Sequence, residues 1–180
     1  MTVESTGLEG CYLIRDTLFN DGRGYFFESY NQRRFLELTG MDVSFVQDNQ
    51  SKSSYGVLRG LHFQEGEHAQ AKLVRVLEGE VLDVAVDLRK GSSTFGRHFS
   101  VVLSGDSHTQ LFVPRGFAHG FAVLSAEAVF FYKCDNFYNK AAEKGIQYND
   151  PALGIDWRLP VEAIILSEKD RQNPLLSSIG

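Results

Sequence analysis

The chain is poor in cysteine: it has two, Cys11 and Cys134, and they stand at no spacing that makes a thiolate metal site or a redox pair. They read as ordinary reduced thiols. No long run of either charge sign accompanies the net charge of −5, so nothing offers a surface suited to phosphate backbones or anionic membranes. Nucleic-acid and membrane partners are therefore not expected, and any anionic ligand has to be met by a local basic pocket. No stretch approaches the roughly 20 apolar residues of a membrane span. The opening MTVESTGLEGCYLIRD lacks a basic region followed by an apolar one, which makes the cytoplasm the expected location. Fixed-period repeats, low-complexity tracts and boundary-length linkers are missing as well.

What is present is one core's worth of apolar residues. With 43% hydrophobic and 12% aromatic content in 180 residues, residues 1–180 are expected to form one domain. Short β-rich segments separated by turn residues dominate: CYLIRD, KLVRVLEGEVLDVAVDL, HFSVVLSG, TQLFVP, GFAVLSAEAVFFYKCD and AIILS. That spacing predicts an antiparallel sandwich or barrel. In EVLDVAVDL, Leu82, Val84, Val86 and Leu88 alternate with Asp83, Ala85 and Asp87, which predicts one dry and one wetter face. LEGEV reads as a hairpin turn. Helical signal is thin: NQRRFLELTG offers Asn31 as N-cap, Phe35, Leu36 and Leu38 as an apolar side and Gly40 as a stop, and NKAAEKG reads as a second short helix. The polar RQNPLLSSIG at the end reads as loosely held.

Two segments carry groups that a core strand does not need. VLRGLHFQ places Arg59 and His62 among Val57, Leu58, Leu61 and Phe63, although charged groups are costly there unless partnered. Positions three apart face opposite sides of a regular strand, so a shared pocket requires a β-bulge, and Gly60 lies between them. The plainer alternative is an ion-paired arginine and a histidine satisfied by a backbone carbonyl. FVPRGFAHGF repeats the theme with His119 behind a Pro and Gly turn. Together the two have the layout of a cupin pair, but a cupin metal site wants two histidines one residue apart, and here His62 is followed by Phe63 and Gln64. A metal site is disfavoured, and His68, His98 and His108 read as loop or surface residues.

SSYGVLRGLHFQ, AKLVRVLEGEVLDVAVDLRKGSSTFG, LFVPRGFAHGF, YNDPALGIDW and LSEKD, in that order over about residues 5 to 172, closely resemble the dTDP-4-dehydrorhamnose 3,5-epimerases. The resemblance implies a mainly β, cupin-like (jelly-roll) antiparallel barrel or sandwich with a few short helices and no cofactor. It implies a small-molecule substrate, dTDP-4-dehydro-6-deoxy-D-glucose, a dTDP-4-keto-6-deoxyhexose whose C3 and C5 both flank the C4 ketone, so that enolate formation acidifies each C–H. Such chemistry needs a base, a proton donor on the other face and a holder for the oxyanion. By the resemblance these are His62 oriented by Asp170, Tyr132, and Lys72. It also assigns the diphosphate to Arg59, Arg23 and His119, and the thymine to Phe26, Tyr138, Glu28, Gln47 and Asn49. Trp157 is divided between the sugar pocket and packing. Members are homodimers whose N-terminal strands extend the partner's sheet, and GLEGCYLIRD fits an outward-pairing edge strand.

Other readings stay open on the sequence alone. Relatives invert only C3 or only C5, a non-catalytic module binds without turnover, and a metal-dependent oxygenase shares the barrel. His62 with Asp170 opposes the second of these, and Gln64 opposes the third.

Overall fold

A computed structural model describes residues 1–179. The chain forms β1 (Thr2–Ser5), β2 (Tyr12–Arg15), β3 (Phe19–Asp21), β4 (Gly24–Phe26) and α1 (Gln32–Thr39), followed by β5 (Gln47–Ser54), β6 (Leu58–Gln64), β7 (Lys72–Glu78) and β8 (Glu80–Asp87). Next come β9 (His98–Ser104), β10 (Thr109–Val113), β11 (Phe117–Val123), β12 (Glu127–Cys134), β13 (Glu143–Gly145) and α2 (Glu168–Arg171). One sheet has the order β1-β2-β10-β7-β12-β5 and the other β13-β6-β11-β8-β9, while β3 and β4 make a separate hairpin. All strand pairs are antiparallel, apart from a lone bridge between Val57 and Ile165. The expected mainly β, cupin-like sandwich with short helices is what forms.

Period-two alternation builds three apolar layers. Between the sheets, Val74, Leu111 and Phe130 of the larger meet Val81, Ala85, Phe117 and Phe121 of the smaller. Outside the smaller sheet, Leu58, Leu61, Leu82, Val84 and Val86 are covered by Ile146, Leu153, Trp157 and Leu176 from the C-terminal coil. Outside the larger sheet, Ile14, Leu73 and Phe112 lie under Phe35 of α1 and Val43. α1 begins and ends as its sequence predicts: Asn31 accepts the Arg34 N–H and Gly40 takes the left-handed conformation at φ 72°. Only Phe35 of its expected apolar side is buried, because Leu36 and Leu38 are about two-fifths exposed.

Several expectations are corrected. LEGEV is not a hairpin, since β7 and β8 belong to different sheets and Gly79 carries the chain from one to the other. Every residue of β8 after Glu80 is buried, so it has no wet face. Asp87 is satisfied there by Arg89, Ser92 and Thr94, which together hold its carboxyl well below the ordinary range although burial alone pushes it up. NKAAEKG is a turn followed by β13 rather than a helix, because Glu143–Gly145 pairs with Gln64, Phe63 and His62. AIILS contributes a single bridge rather than a strand. The edge of the larger sheet is β1, and β2 lies inside it. The C-terminal segment is held: the Leu176 N–H donates to Asp150 Oδ2 at 2.6 Å and Asn173 is buried, while Gly180 falls outside the described residues.

The β6–β11 crossing matters most for function. His119 pairs with His62 and Phe121 with Arg59, so β11 advances two residues while β6 advances three. The extra residue is a bulge, and it returns Arg59 and His62 to one face. It requires glycine on both strands: a Cβ on Gly60, at φ 139°, would lie 2.6 Å from Gly120 Cα, and one on Gly120 would lie 2.8 Å from Arg59 O. Gly60→Ala is expected to lower unfolding free energy by about 2 to 4 kcal/mol, read by urea denaturation. A loss under about 0.5 kcal/mol would show that the crossing tolerates a side chain.

Candidate active site

A cavity of about 590 Å³ opens between the sheets. β6 and β11 contribute Arg59, His62 and His119 from one side, and β5, β7 and β12 contribute Asn49, Lys72 and Tyr132 from the other. Phe121 and Phe130, stacked with centroids 4.1 Å apart, supply an apolar wall. A second cavity of about 220 Å³ shares Asn49, His62, Lys72 and Tyr132 and adds Gln47, Gln64 and Tyr138. Nine of the twelve residues expected at a site therefore line these two spaces.

His62 and Asp170 are 108 positions apart, yet Nε2 and Oδ1 stand 2.5 Å from each other. Asp170 comes from α2, where Ser167 caps the turn by accepting the Asp170 N–H. Burial pushes the Asp170 carboxyl up, but His62, Ser167 and the Gly60 backbone more than offset this and hold it below its ordinary value. An ionised carboxylate only accepts, so Nε2 carries the hydrogen and Nδ1 keeps the lone pair. The dyad thus presents a fixed tautomer.

Opposite it, burial pushes the Tyr132 phenol up to about 12, so the group stays protonated and remains a proton donor. Lys72 keeps part of its surface open to the cavity but is ringed by protein, and burial lowers its value. Its Nζ lies 5.9 Å from the Tyr132 ring centroid, and it forms no ion pair among the described residues. His119 is different, because its Nε2 lies 2.9 Å from Oδ2 of the fully buried Asp83 and only Nδ1 is left for a ligand. Arg59 Nε donates to Ser53 Oγ at 3.1 Å, which leaves its terminal nitrogens unspent.

Arg23, Phe26 and Glu28 are not brought to either cavity. Arg23 pairs with Asp21 inside the β3–β4 hairpin, Phe26 is 70% exposed, and Glu28 is exposed beyond it. Trp157 is buried outside the smaller sheet, where its Nε1 donates to Tyr148 O, so its role is packing. The sequence reading missed Glu143 and Lys169, which pair with each other at the cavity wall, with Tyr138 Oη donating to the same Glu143 carboxylate at 2.7 Å. Lys169 had a signal, since it adjoins Asp170. Glu143 had none, because β13 exists only by pairing with β6. Among the described residues no group of three or more His, Cys, Asp and Glu side chains is placed to hold a metal ion, and no helix is long and apolar enough to cross a membrane.

Residues 5–178 match the family model described as dTDP-4-dehydrorhamnose 3,5-epimerase. The chain is 52% identical over 179 residues to the enzyme of that name from Salmonella typhimurium, covering 98% of this chain and 96% of that one. The crystal structure of the Elizabethkingia anophelis dTDP-4-dehydrorhamnose 3,5-epimerase superposes with a TM-score of 0.97 at 58% identity, covering 99% and 97% of the two chains. A dTDP-6-deoxy-D-glucose-3,5-epimerase from Legionella pneumophila, solved in complex with dTDP-4-keto-L-rhamnose, gives 0.95 at 49% identity over 99% and 94%.

The dyad has a pH signature. Asp170 ionises more readily folded than unfolded, so the stability it contributes is present above its unfolded value near 3.8 and is lost as pH falls through the lower folded value. Asp170→Asn is expected to flatten the acid limb of unfolding free energy against pH relative to wild type. Superimposable limbs would show that the carboxylate is not coupled to folding.

Proposed function

The chain belongs to the dTDP-4-dehydrorhamnose 3,5-epimerase family, and from that premise we propose how its own groups carry the reaction. It is an isomerase that inverts C3 and C5 of dTDP-4-dehydro-6-deoxy-D-glucose, giving dTDP-4-dehydro-L-rhamnose for dTDP-L-rhamnose synthesis. The observation that carries the assignment of roles is the 2.5 Å dyad of His62 and Asp170 facing Tyr132 across a cavity between two sheets.

His62 Nδ1 takes the proton from C3 or C5, and the C–H electron pair moves onto the C4 oxygen as an enolate. Asp170 stabilises the imidazolium that results. Lys72, ringed by protein and without an anionic partner among the described residues, supplies the charge that the C4 oxyanion meets. Tyr132, protonated by virtue of burial, returns a proton to the opposite face of the carbon; the phenolate then recovers one from water while the imidazolium releases its proton to water, which resets both groups for the second carbon. Epimerisation beside a ketone is redox-neutral and calls for no electron carrier.

Arg59 holds the diphosphate with the nitrogens that Ser53 leaves unspent, and His119 adds Nδ1. Tyr138, Gln47 and Asn49 around the smaller cavity receive the thymine. The same reading puts the enzyme in the cytoplasm with its nucleotide-linked substrate.

Arg23, Phe26 and Glu28 reach the site of a second copy. Three observations support this homodimer: the β3–β4 hairpin exposes Phe19, Tyr25 and Phe26 by 62, 58 and 70%. β1 is a free sheet edge. Beside Phe27, Arg75 Nε and Nη1 are buried without hydrogen-bond partners, an arrangement that a partner chain relieves.

Turnover in deuterated water tests the chemistry. The wild type is expected to label C3 and C5, His62→Ala to label neither, and Tyr132→Phe to lose about 10²-fold or more in kcat with little change in KM. Near-wild-type exchange by His62→Ala would assign the base elsewhere, and label at one carbon would make the enzyme a monoepimerase. Crossing over is tested by mixing the inactive His62→Ala and Arg23→Ala chains at substrate well below KM. Random reassortment leaves one intact site in each mixed dimer, so activity is expected to return to about a quarter of wild type. No recovery would confine the hairpin to its own subunit.

A further inference from the structure

Residues 135–142 link β12 to β13 without regular structure, and Tyr138 among them lines the smaller cavity. Apolar burial does not anchor them, since Phe137 is 66% and Tyr138 51% exposed, although Tyr138 Oη donates to Glu143 at 2.7 Å. Polar pins do. Gln70 Nε2 donates to Asn136 O at 2.7 Å, Asn136 Nδ2 donates to Glu67 O at 2.8 Å, and Asn139 Nδ2 lies 2.8 Å from His68 Nε2. The Tyr138 N–H donates to Gln47 Oε1 and the Asn139 N–H to Gln64 Oε1, each at 3.0 Å.

The last two pins stand apart from the rest. Gln47 belongs to β5 of the larger sheet and Gln64 to β6 of the smaller. Two consecutive N–H groups are thus captured by acceptors from opposite sheets, which restrains rotation of the strap about its own axis. That restraint, together with the Tyr138 Oη bond to Glu143, sets where the Tyr138 ring stands. Gln64 is the buried member, only 7% exposed, and it follows His62 by two positions on β6, so both side chains face the cavities.

We propose that Gln64 is a positioning residue for the nucleotide subsite: its buried Oε1 accepts the Asn139 N–H, and this bond sets the Tyr138 ring as the wall against which the base stacks. The proposal rests on the assignment of Tyr138 to the thymine. Gln64 touches no reacting atom. It ties the strap that recognises the nucleotide to the strand that carries the base, and this gives the amide a use at the position where a metal-binding cupin would place a ligand.

The test compares Gln64→Leu, which loses the acceptor, with Gln64→Glu, which keeps it. Calorimetry with dTDP and steady-state kinetics are expected to show Kd and KM raised about fivefold or more in Gln64→Leu, the weight of one buried hydrogen bond, with kcat within about twofold. Gln64→Glu is expected to return both to within about twofold of wild type. Unchanged dTDP affinity in Gln64→Leu, a loss in kcat at constant KM, or a Gln64→Glu as weak as Gln64→Leu overturns the proposal.

Hydrogen exchange on the wild-type chain decides the matter even if Gln64→Leu does not fold. The Asn139 amide is expected to be protected, and free exchange overturns the pin. A wild-type chain that does not bind dTDP overturns the nucleotide reading instead, and Gln64 is then judged by that amide alone.

Discussion

Two backbones in near contact govern this molecule. β6 and β11 cross with Gly60 and Gly120 so close that neither strand has room for a Cβ, and the extra residue that β6 carries there is what turns Arg59 toward the same space as His62. A regular strand would send one of them into the apolar layer under the C-terminal coil, where Leu58 and Leu61 now lie. An unpaired guanidinium has no stable place in that layer. The bulge thus solves a problem of sidedness, putting a guanidinium and an imidazole on one face of one strand, the pairing that the proposed phosphate contact and proton abstraction require. A ligand with an anionic half and a reactive half demands that pairing.

The site is also organised by which polar groups arrive already partnered. Asp170 is held by His62 and Ser167, His119 by Asp83, Arg59 by Ser53, and Glu143 by Lys169 and Tyr138. Among the described residues Lys72 has no anionic partner, and burial works against its charge. Holding an ammonium where burial disfavours its charge costs stability in the free protein. In the proposed mechanism that cost is offset when negative charge develops beside it, so the interaction would favour the enolate over the ketone. Tyr132 follows the same logic from the other side. The burial that raises its phenol makes it a weak acid in the resting site, and in the proposed mechanism it gives up its proton only to a carbon already made basic by the lost one.

What was legible in the sequence follows from how far each cause reaches along the chain. α1 declared both its ends because its caps are local to Asn31 and Gly40. The bulge was legible because glycine between Arg59 and His62 is a local conflict with strand periodicity. β13 was not, because KAAEKG has helical composition and becomes strand only through the backbone of β6. Gly79 makes the same left-handed turn whether the flanking strands pair or part, and here they part to different sheets. Asp83 and Asp87 implied a wet face because their partners, His119 and the Arg89–Thr94 loop, are invisible to alternation. Among the site groups, His62 announces itself as a histidine in an apolar strand, whereas Asp170 and Tyr132 look like a helix end and a core aromatic until family motifs or coordinates place them. Arg23, Phe26 and Glu28 were named from the resemblance alone, and within one chain the fold leaves them on the surface.

Chemistry and recognition are therefore built on different kinds of structure. His62, Lys72 and Tyr132 stand on central strands, hydrogen-bonded on both sides within their sheets, where a side chain's position is set by many neighbours at once. Of the groups assigned to the nucleotide, Arg59 and His119 also stand on central strands, whereas those assigned to the base stand on the edge strand β5, on a strap held by side-chain amides, or on and beside the β3–β4 hairpin. Proton transfer needs reacting atoms placed to fractions of an ångström, and a central strand supplies that. A nucleotide that must enter and leave needs a wall that gives slightly, and few, purely polar pins supply that without loosening the base. Because β6 bears both His62 and the buried glutamine that anchors the strap, the two kinds of structure share one strand, and the ligand's two halves are held in register by the same backbone.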